Sequence, residues 1–144
     1  MIGVKNSSMP VQDIQTFKQA AGDDYIIFNG PDEQFISGRV IGAEGGIGGT
    51  YGVMPELFVK LNALLEAGDF ENAGKLQNDI DEVIYTMCSA NGNMYAVAKA
   101  ALKKLSGLEL GGVREPLLNL ADEDTAVVDK TVSLVETAVA KWVK

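Results

Sequence analysis

The sequence predicts an α/β fold of about three parallel strands with flanking helices, followed by a helical extension. Two observations predict it. Over the first fifty residues, short apolar runs alternate with helical patterns in the order strand, helix, strand, helix, strand, the arrangement that builds a parallel sheet through right-handed crossovers. From Pro55 onward, outside one irregular stretch, apolar residues recur at helical spacing.

Each element has its own signal. Met1–Val4 reads as a short buried strand that delivers Lys5 to its end. Pro10 suits a first helical turn, and Val11, Ile14, Phe17 and Ala21 then recur at helical spacing until Gly22 closes the segment. Tyr25-Ile26-Ile27-Phe28 is a continuous apolar run, the pattern of a strand covered on both faces. Asn29-Gly30 breaks it, and Pro31 opens a second helix carrying Phe35, Ile36 and Val40. The glycine-dense stretch Gly42 to Gly49, centred on Ile47, predicts a third short strand.

The helical remainder begins at Pro55, with Leu57, Leu61, Leu64 and Leu65 on one face and Gly68 as the stop. Asp69 can cap the next helix, whose face is Ala73, Leu76, Ile80, Val83, Ile84 and Met87, ending at Asn91-Gly92. A further helix runs from about Met94 to Leu105, terminated by Gly107. Leu108 to Leu120 reads as irregular, and Asp122 precedes a last helix with Val128, Thr131, Val135, Ala138 and Trp142 in one stripe. The glycine stop at Gly68 lies between consecutive helices, so residues 1–52 and 53–144 read as parts of one domain.

Composition narrows the chemistry. The chain has 144 residues, 47% apolar and 22% charged, and a formal net charge of −8. That sign does not suit a nucleic-acid or anionic-membrane surface. There is no histidine and one cysteine, Cys88, which excludes a histidine-dependent triad, the usual zinc ligand sets and an intrachain disulfide. Cys88 falls in a helical apolar pattern and reads as a packed thiol. With no membrane-length apolar stretch and no signal-peptide pattern, the expectation is a cytoplasmic protein without metal.

Three features carry chemistry. A lysine at the carboxyl end of a buried strand, as Lys5 is read, either snorkels to water or acts as a nucleophile towards carbonyls. The nucleophilic role requires the amine's pKa to fall from about 10.4. Asp32-Glu33, in the first turn after Pro31, complement a helix dipole, or else accept hydrogen bonds from a polyhydroxyl substrate. Gly45, Gly46, Gly48 and Gly49 spell neither a dinucleotide fingerprint nor a phosphate-binding P-loop. They mark backbone that a neighbouring strand or a ligand carboxylate approaches closely.

In order along the chain, Ile2-Gly3-Val4-Lys5-Asn6-Ser7-Ser8, Phe28-Asn29-Gly30-Pro31-Asp32-Glu33 and Gly45-Gly46-Ile47-Gly48-Gly49-Thr50-Tyr51 resemble the N-acetylneuraminate lyase and dihydrodipicolinate synthase family of Schiff-base aldolases. Gly112-Val113-Arg114-Glu115-Pro116-Leu117 resembles that family's segment before its last helix. The resemblance implies a partial (half-type) TIM (β/α)8 barrel, with strands six to eight and the C-terminal helical extension. It implies that Lys5 is catalytic, forming a covalent imine with pyruvate and requiring no separate cofactor. It further implies that Ser7 sits near the aldehyde, that Gly30, Asp32 and Glu33 hold sugar hydroxyls, and that the backbone of Ile47 and Gly48 lies by the pyruvate moiety. The Gly-x-Asp-Glu run points to the sialic-acid lyase branch, while Gly49 stands where lyases commonly carry serine.

The family's Gly-Ser/Thr-Thr-Gly-Glu segment and its proton-relaying tyrosine have no counterpart in this sequence, and Tyr25 and Tyr51 fall in other elements. The expectation is therefore an incomplete barrel that covers its open face by homo-oligomerising or by rearranging its own helices over the sheet, or that a complementing N-terminal barrel fragment completes. Three readings stay open for the isolated chain. It is a self-associating remnant without turnover, a lyase or other 2-keto-acid aldolase fragment active when complemented, or a keto-acid-binding module.

Overall fold

The structure, a computed structural model, describes residues 2–143. Strand β1 spans Gly3–Asn6, α1 Gln12–Ala21, β2 Ile26–Asn29, α2 Phe35–Val40 and β3 Gly45–Gly46. The strands form one parallel sheet in the order β1-β2-β3. Helices α3 (Pro55–Glu66), α4 (Phe70–Cys88), α5 (Met94–Ser106) and α6 (Thr125–Trp142) complete the chain. The architecture is the predicted one: three parallel strands, flanking helices and a helical extension.

Several boundaries differ from the sequence reading, each for a physical reason. Lys5 lies inside β1 rather than beyond it, because pairing with β2 continues through Lys5↔Phe28 and Asn6↔Asn29. Met1, the predicted first residue of that strand, is outside the described residues. Strand β2 is likewise shifted one residue on, and β3 is only Gly45-Gly46, with Ile47 past its end. Pro31 opens a single 3-10 turn, Asp32–Gln34, before α2 begins. Helix α1 starts at Gln12, and among its residues only Ile14 is fully buried.

Two burial expectations are corrected. The β2 run is not covered on both faces: Ile27 is buried, but Ile26 is 42% exposed. One sheet face packs on α1 through Ile14, Ile27 and Ala43, with Val4, Val11 and Ile41 around them. No element among the described residues covers the face that carries Lys5, Ile26 and Phe28. Cys88 is also exposed rather than packed. It sits at the last position of α4, between buried Met87 and the solvent-facing Ser89, one step off the apolar stripe.

The large core belongs to the helices. Leu57, Phe58 and Leu61 of α3 meet Leu76, Ile80, Val83, Ile84 and Met87 of α4, Val97 and Ala101 of α5, and Val128, Val135 and Ala138 of α6. The ends of these helices carry the expected chemistry. Asp69 accepts from the Asn72 amide at 3.1 Å, Asn93 accepts from the Tyr95 amide at 2.9 Å, and Gly107 closes α5 in the left-handed conformation at φ 75°. Asp124 ties the turn before α5 to the turn before α6 by accepting from the amides of Asn91 (2.7 Å), Gly92 (2.9 Å) and Ala121 (2.9 Å). Among the described residues, no helix is long and apolar enough to cross a membrane.

Two outcomes are expected. Leu76, fully buried at the centre of the helical core, should lower unfolding free energy by about 2–5 kcal/mol when truncated to alanine, read from urea titrations. The Asp124 carboxyl is held below the ordinary carboxylate range by the Ala121 amide first, then those of Asn91 and Gly92. A depressed folded pKa stabilises above the unfolded value of about 3.9, and that stability is lost as pH falls through the folded value. Asp124→Asn should therefore be less stable than the parent at neutral pH, with the two urea midpoints converging in acid.

Candidate active site

The register of the sheet assembles the site. Asn6, Asn29 and Gly46 align across the three strands, so the residues that follow them, Ser7, Gly30 and Ile47, leave the sheet side by side at its carboxyl edge. One residue back, Lys5, Phe28 and Gly45 form the row beneath. Carboxyl ends of parallel strands are where α/β folds place their sites. Lys5 alternates with Val4 and Asn6, so it projects from the uncovered face while Val4 joins the packed one. Its side chain is exposed and makes no ion pair or hydrogen bond among the described residues. Ser7 crowds Gly30: a Cβ there would meet the Ser7 hydroxyl, and the Asn6 carbonyl at 2.5 Å.

Asp32 is not the solvated dipole partner that a first-turn acid usually is. It is buried, and its Oδ2 accepts from the Thr50 amide at 2.9 Å and the Thr50 hydroxyl at 2.5 Å. Its backbone carbonyl accepts from Gln77 Nε2 at 3.2 Å. Its other carboxylate oxygen, Oδ1, is buried without a partner among the described residues and lies against Gly48. Gly48 is therefore glycine for space: a Cβ would overlap that carboxylate, with even the farther Oδ2 at 2.7 Å.

Glu33 is half-buried and stands close enough to α4 for its charge to be felt there. Burial raises the Asp81 carboxyl and Glu33 adds to it, while a hydrogen bond from Gln77 opposes them. Burial, then Glu33, likewise raises the Cys88 thiol. Ile47 is exposed and donates its amide to the Asn29 carbonyl at 2.9 Å. The next two amides, of Gly48 and Gly49, find no acceptor among the described residues. Two adjacent unpaired N–H groups can receive an anionic oxygen.

The structure thus brings Lys5, Ser7, Gly30, Asp32, Ile47 and Gly48 to one edge of the sheet, with Glu33 on the side nearest α4. Sequence reading missed their supports. Thr50 holds Asp32 in place. Gln77 links the Asp32 carbonyl, the Ile36 amide (3.4 Å) and Asp81 (2.8 Å). Its signal was a polar residue on the buried stripe of α4, beside Leu76 and Ile80. Tyr51 packs edge-on against Phe35 (centroids 6.2 Å apart) and tilted on Phe58 (3.9 Å). Burial and then the Asp32 charge push its phenol far up, so it stays protonated.

Comparison with known proteins bears on the family and the fold. The model of the dihydrodipicolinate synthetase family matches residues 1–135. The N-acetylneuraminate lyase of Mediterraneibacter gnavus is 64% identical over 142 residues, covering 99% of this chain and 45% of the lyase. The solved sialic acid aldolase of Ruminococcus gnavus superposes with a TM-score of 0.97 at 64% identity, over 99% of this chain and 47% of that one. A catalytic lysine mutant of the same aldolase gives 0.96, over 98% and 46%. These neighbours are TIM barrels. The chain spans about half the length of the relatives it matches.

Gly48→Ala should displace Asp32 from Thr50 and cost about 1–3 kcal/mol of stability, as overpacking of a filled site does. Urea titration together with hydrogen exchange at the Thr50 amide checks this. Unaltered exchange at Thr50 in the variant would show that the carboxylate has room to move.

Proposed function

The chain belongs to the dihydrodipicolinate synthetase family, and we propose that it is the C-terminal part of a pyruvate-dependent Schiff-base aldolase of the N-acetylneuraminate lyase type. The observation that carries this reading is Lys5, free of any ion pair among the described residues, on the uncovered face at the carboxyl end of a parallel strand. In this reading the Lys5 amine attacks the keto carbon of pyruvate or of the sugar acid, and the keto oxygen leaves as water. The protonated imine then accepts the electrons of the breaking carbon–carbon bond. Asp32 Oδ1 and Glu33 accept hydrogen bonds from sugar hydroxyls, Ser7 sits by the aldehyde, and Gly30 leaves room for Ser7. The Gly48 amide, beside Ile47, receives the carboxylate. Support comes from the 64% identity to a protein called N-acetylneuraminate lyase and from the likeness to an aldolase with a catalytic lysine.

The uncovered sheet face bears on how such a chain works. Beside Lys5, Ile26 is 42% exposed and Phe28 is half-buried. We read this face as the inner wall of a barrel, covered either by the strands that make up the other half of the relatives or by a second copy of this chain. Covering it takes water away from Lys5, and a desolvated amine is the nucleophilic form. We also read residues 1–52 and 53–144 as one domain, supported by Phe35 joining the helical core with Ile36 and Tyr51 packed against it, and the protein as cytoplasmic, supported by its acidic charge and single cysteine.

Borohydride reduction in the presence of pyruvate should leave a carboxyethyl group on Lys5, found by peptide mass spectrometry and absent in Lys5→Arg. Lack of any adduct on the chain, alone and complemented with the unmatched half of the Mediterraneibacter gnavus lyase, would sink the aldolase reading. Without that half, cleavage of N-acetylneuraminate should be slower by about 10²–10⁴-fold, the usual loss when general acid–base help is missing. Light scattering on the chain alone should report a species larger than a monomer; a monodisperse monomer would count against self-association.

A further inference from the structure

The first turn of α5 brings a hydroxyl to the same rim, from a part of the chain remote from the strand ends. A Cβ on Gly49 would meet Tyr95 Cε1 at 2.5 Å and the Tyr95 hydroxyl at 2.7 Å. Gly49 has ordinary right-handed backbone angles, φ −74° and ψ −29°, so its conformation makes no demand for glycine. The demand comes from the phenol. Gly48 makes the same kind of room for the Asp32 carboxylate. Consecutive glycines therefore admit, from two different elements, a buried acceptor with a free oxygen and a phenolic hydroxyl. That hydroxyl makes no hydrogen bond among the described residues, and Tyr95 is 47% exposed. The Asn93 side chain fixes the backbone from which the ring departs.

We propose that Tyr95 is a specificity-determining residue. Its hydroxyl bonds a hydroxyl at the far end of a polyhydroxyl substrate, next to the Asp32 carboxylate, and Gly49 is small so that the ring can reach. The proposal rests on the aldolase reading above and goes beyond it by assigning the distal end of the substrate. The geometry argues for the far end rather than the reacting one. Lys5 is on β1, whereas Gly48 and Gly49 follow β3, two strand spacings or ~10 Å across the sheet. A keto acid without a tail spans from Lys5 to the Gly48 amide through its carboxylate and has no distal hydroxyl to offer Tyr95. A polyol chain attached to it crosses to Asp32 and then to Tyr95.

The test uses the chain complemented with the unmatched half of the Mediterraneibacter gnavus lyase. Two substrates are compared, N-acetylneuraminate and a short 4-hydroxy-2-oxo acid without a polyol tail. Tyr95→Phe keeps the ring and removes only the hydroxyl. It should raise KM for N-acetylneuraminate about three- to tenfold, the worth of one neutral hydrogen bond, with a smaller effect on kcat and none on KM for the short acid. Gly49→Ser combined with Tyr95→Ala moves a hydroxyl onto the 49 position and should recover part of the preference for the long substrate relative to Tyr95→Ala alone. Equal KM changes for both substrates, or none for either, would overturn the proposal while the pyruvate adduct on Lys5 keeps the aldolase reading intact. No adduct and no turnover in the complemented parent would overturn both.

Discussion

The tie between Asp32 and Thr50 is the constraint on which the site depends. A three-stranded sheet whose third strand is two residues long has little backbone pairing with which to fix its carboxyl edge. The buried carboxylate supplies what pairing does not, accepting both donors of Thr50 and so joining the turn after β2 to the turn after β3. Gln77 extends the tie downward, holding the Asp32 carbonyl and the Ile36 amide to α4. Charge-assisted bonds in a water-poor setting are stronger than neutral ones, and removing one partner leaves a costly unpaired group. The same carboxylate keeps one oxygen uncommitted. Asp32 is thus a brace through Oδ2, while Oδ1 is a buried acceptor without a partner among the described residues.

Much of this was legible in the chain because the relevant signals are local. Strand order, the helical remainder and the stops at Gly22, Gly68 and Gly107 follow from apolar period and glycine chemistry. The row formed by Ser7, Gly30 and Ile47 follows once the strands are taken as parallel. What failed to read through was decided by contacts distant in sequence. Lys5 was placed beyond its strand because four residues do not reveal where pairing stops. The Tyr25–Phe28 run looked doubly covered, yet an apolar run records what a strand is built to face, whether or not that partner lies in the same segment. Tyr95 is separated from Gly49 by two helices, and no spacing rule links them. Cys88 shows the limit of a periodic stripe at a helix terminus, where one step of about 100° turns a side chain from core to solvent.

Glycine carries three separate meanings here. Gly107 is required by backbone angle, Gly30 and Gly48 by polar groups pressed against them, and Gly49 by an aromatic ring. Only the first is a conformational requirement. The others record the shape of neighbours, so they report on the site in a way that Gly52 and Gly74, with open space around them, do not.

The unequal cores give the molecule a gradient of cooperativity. The helices share a wide apolar cluster, whereas the sheet is fastened to α1 by three buried residues, Ile14, Ile27 and Ala43. Regions with few buried contacts open at lower free energy than the body that supports them. The strand ends that present Lys5 and Ser7 therefore belong to the least protected unit of the chain, and whatever lies against the bare face of β1 and β2 acts on them as a folding partner as much as a neighbour. Occupancy of that face raises the free energy of sub-global opening by mass action, so the order of the reactive edge becomes a measure of how much of the surrounding barrel is in place.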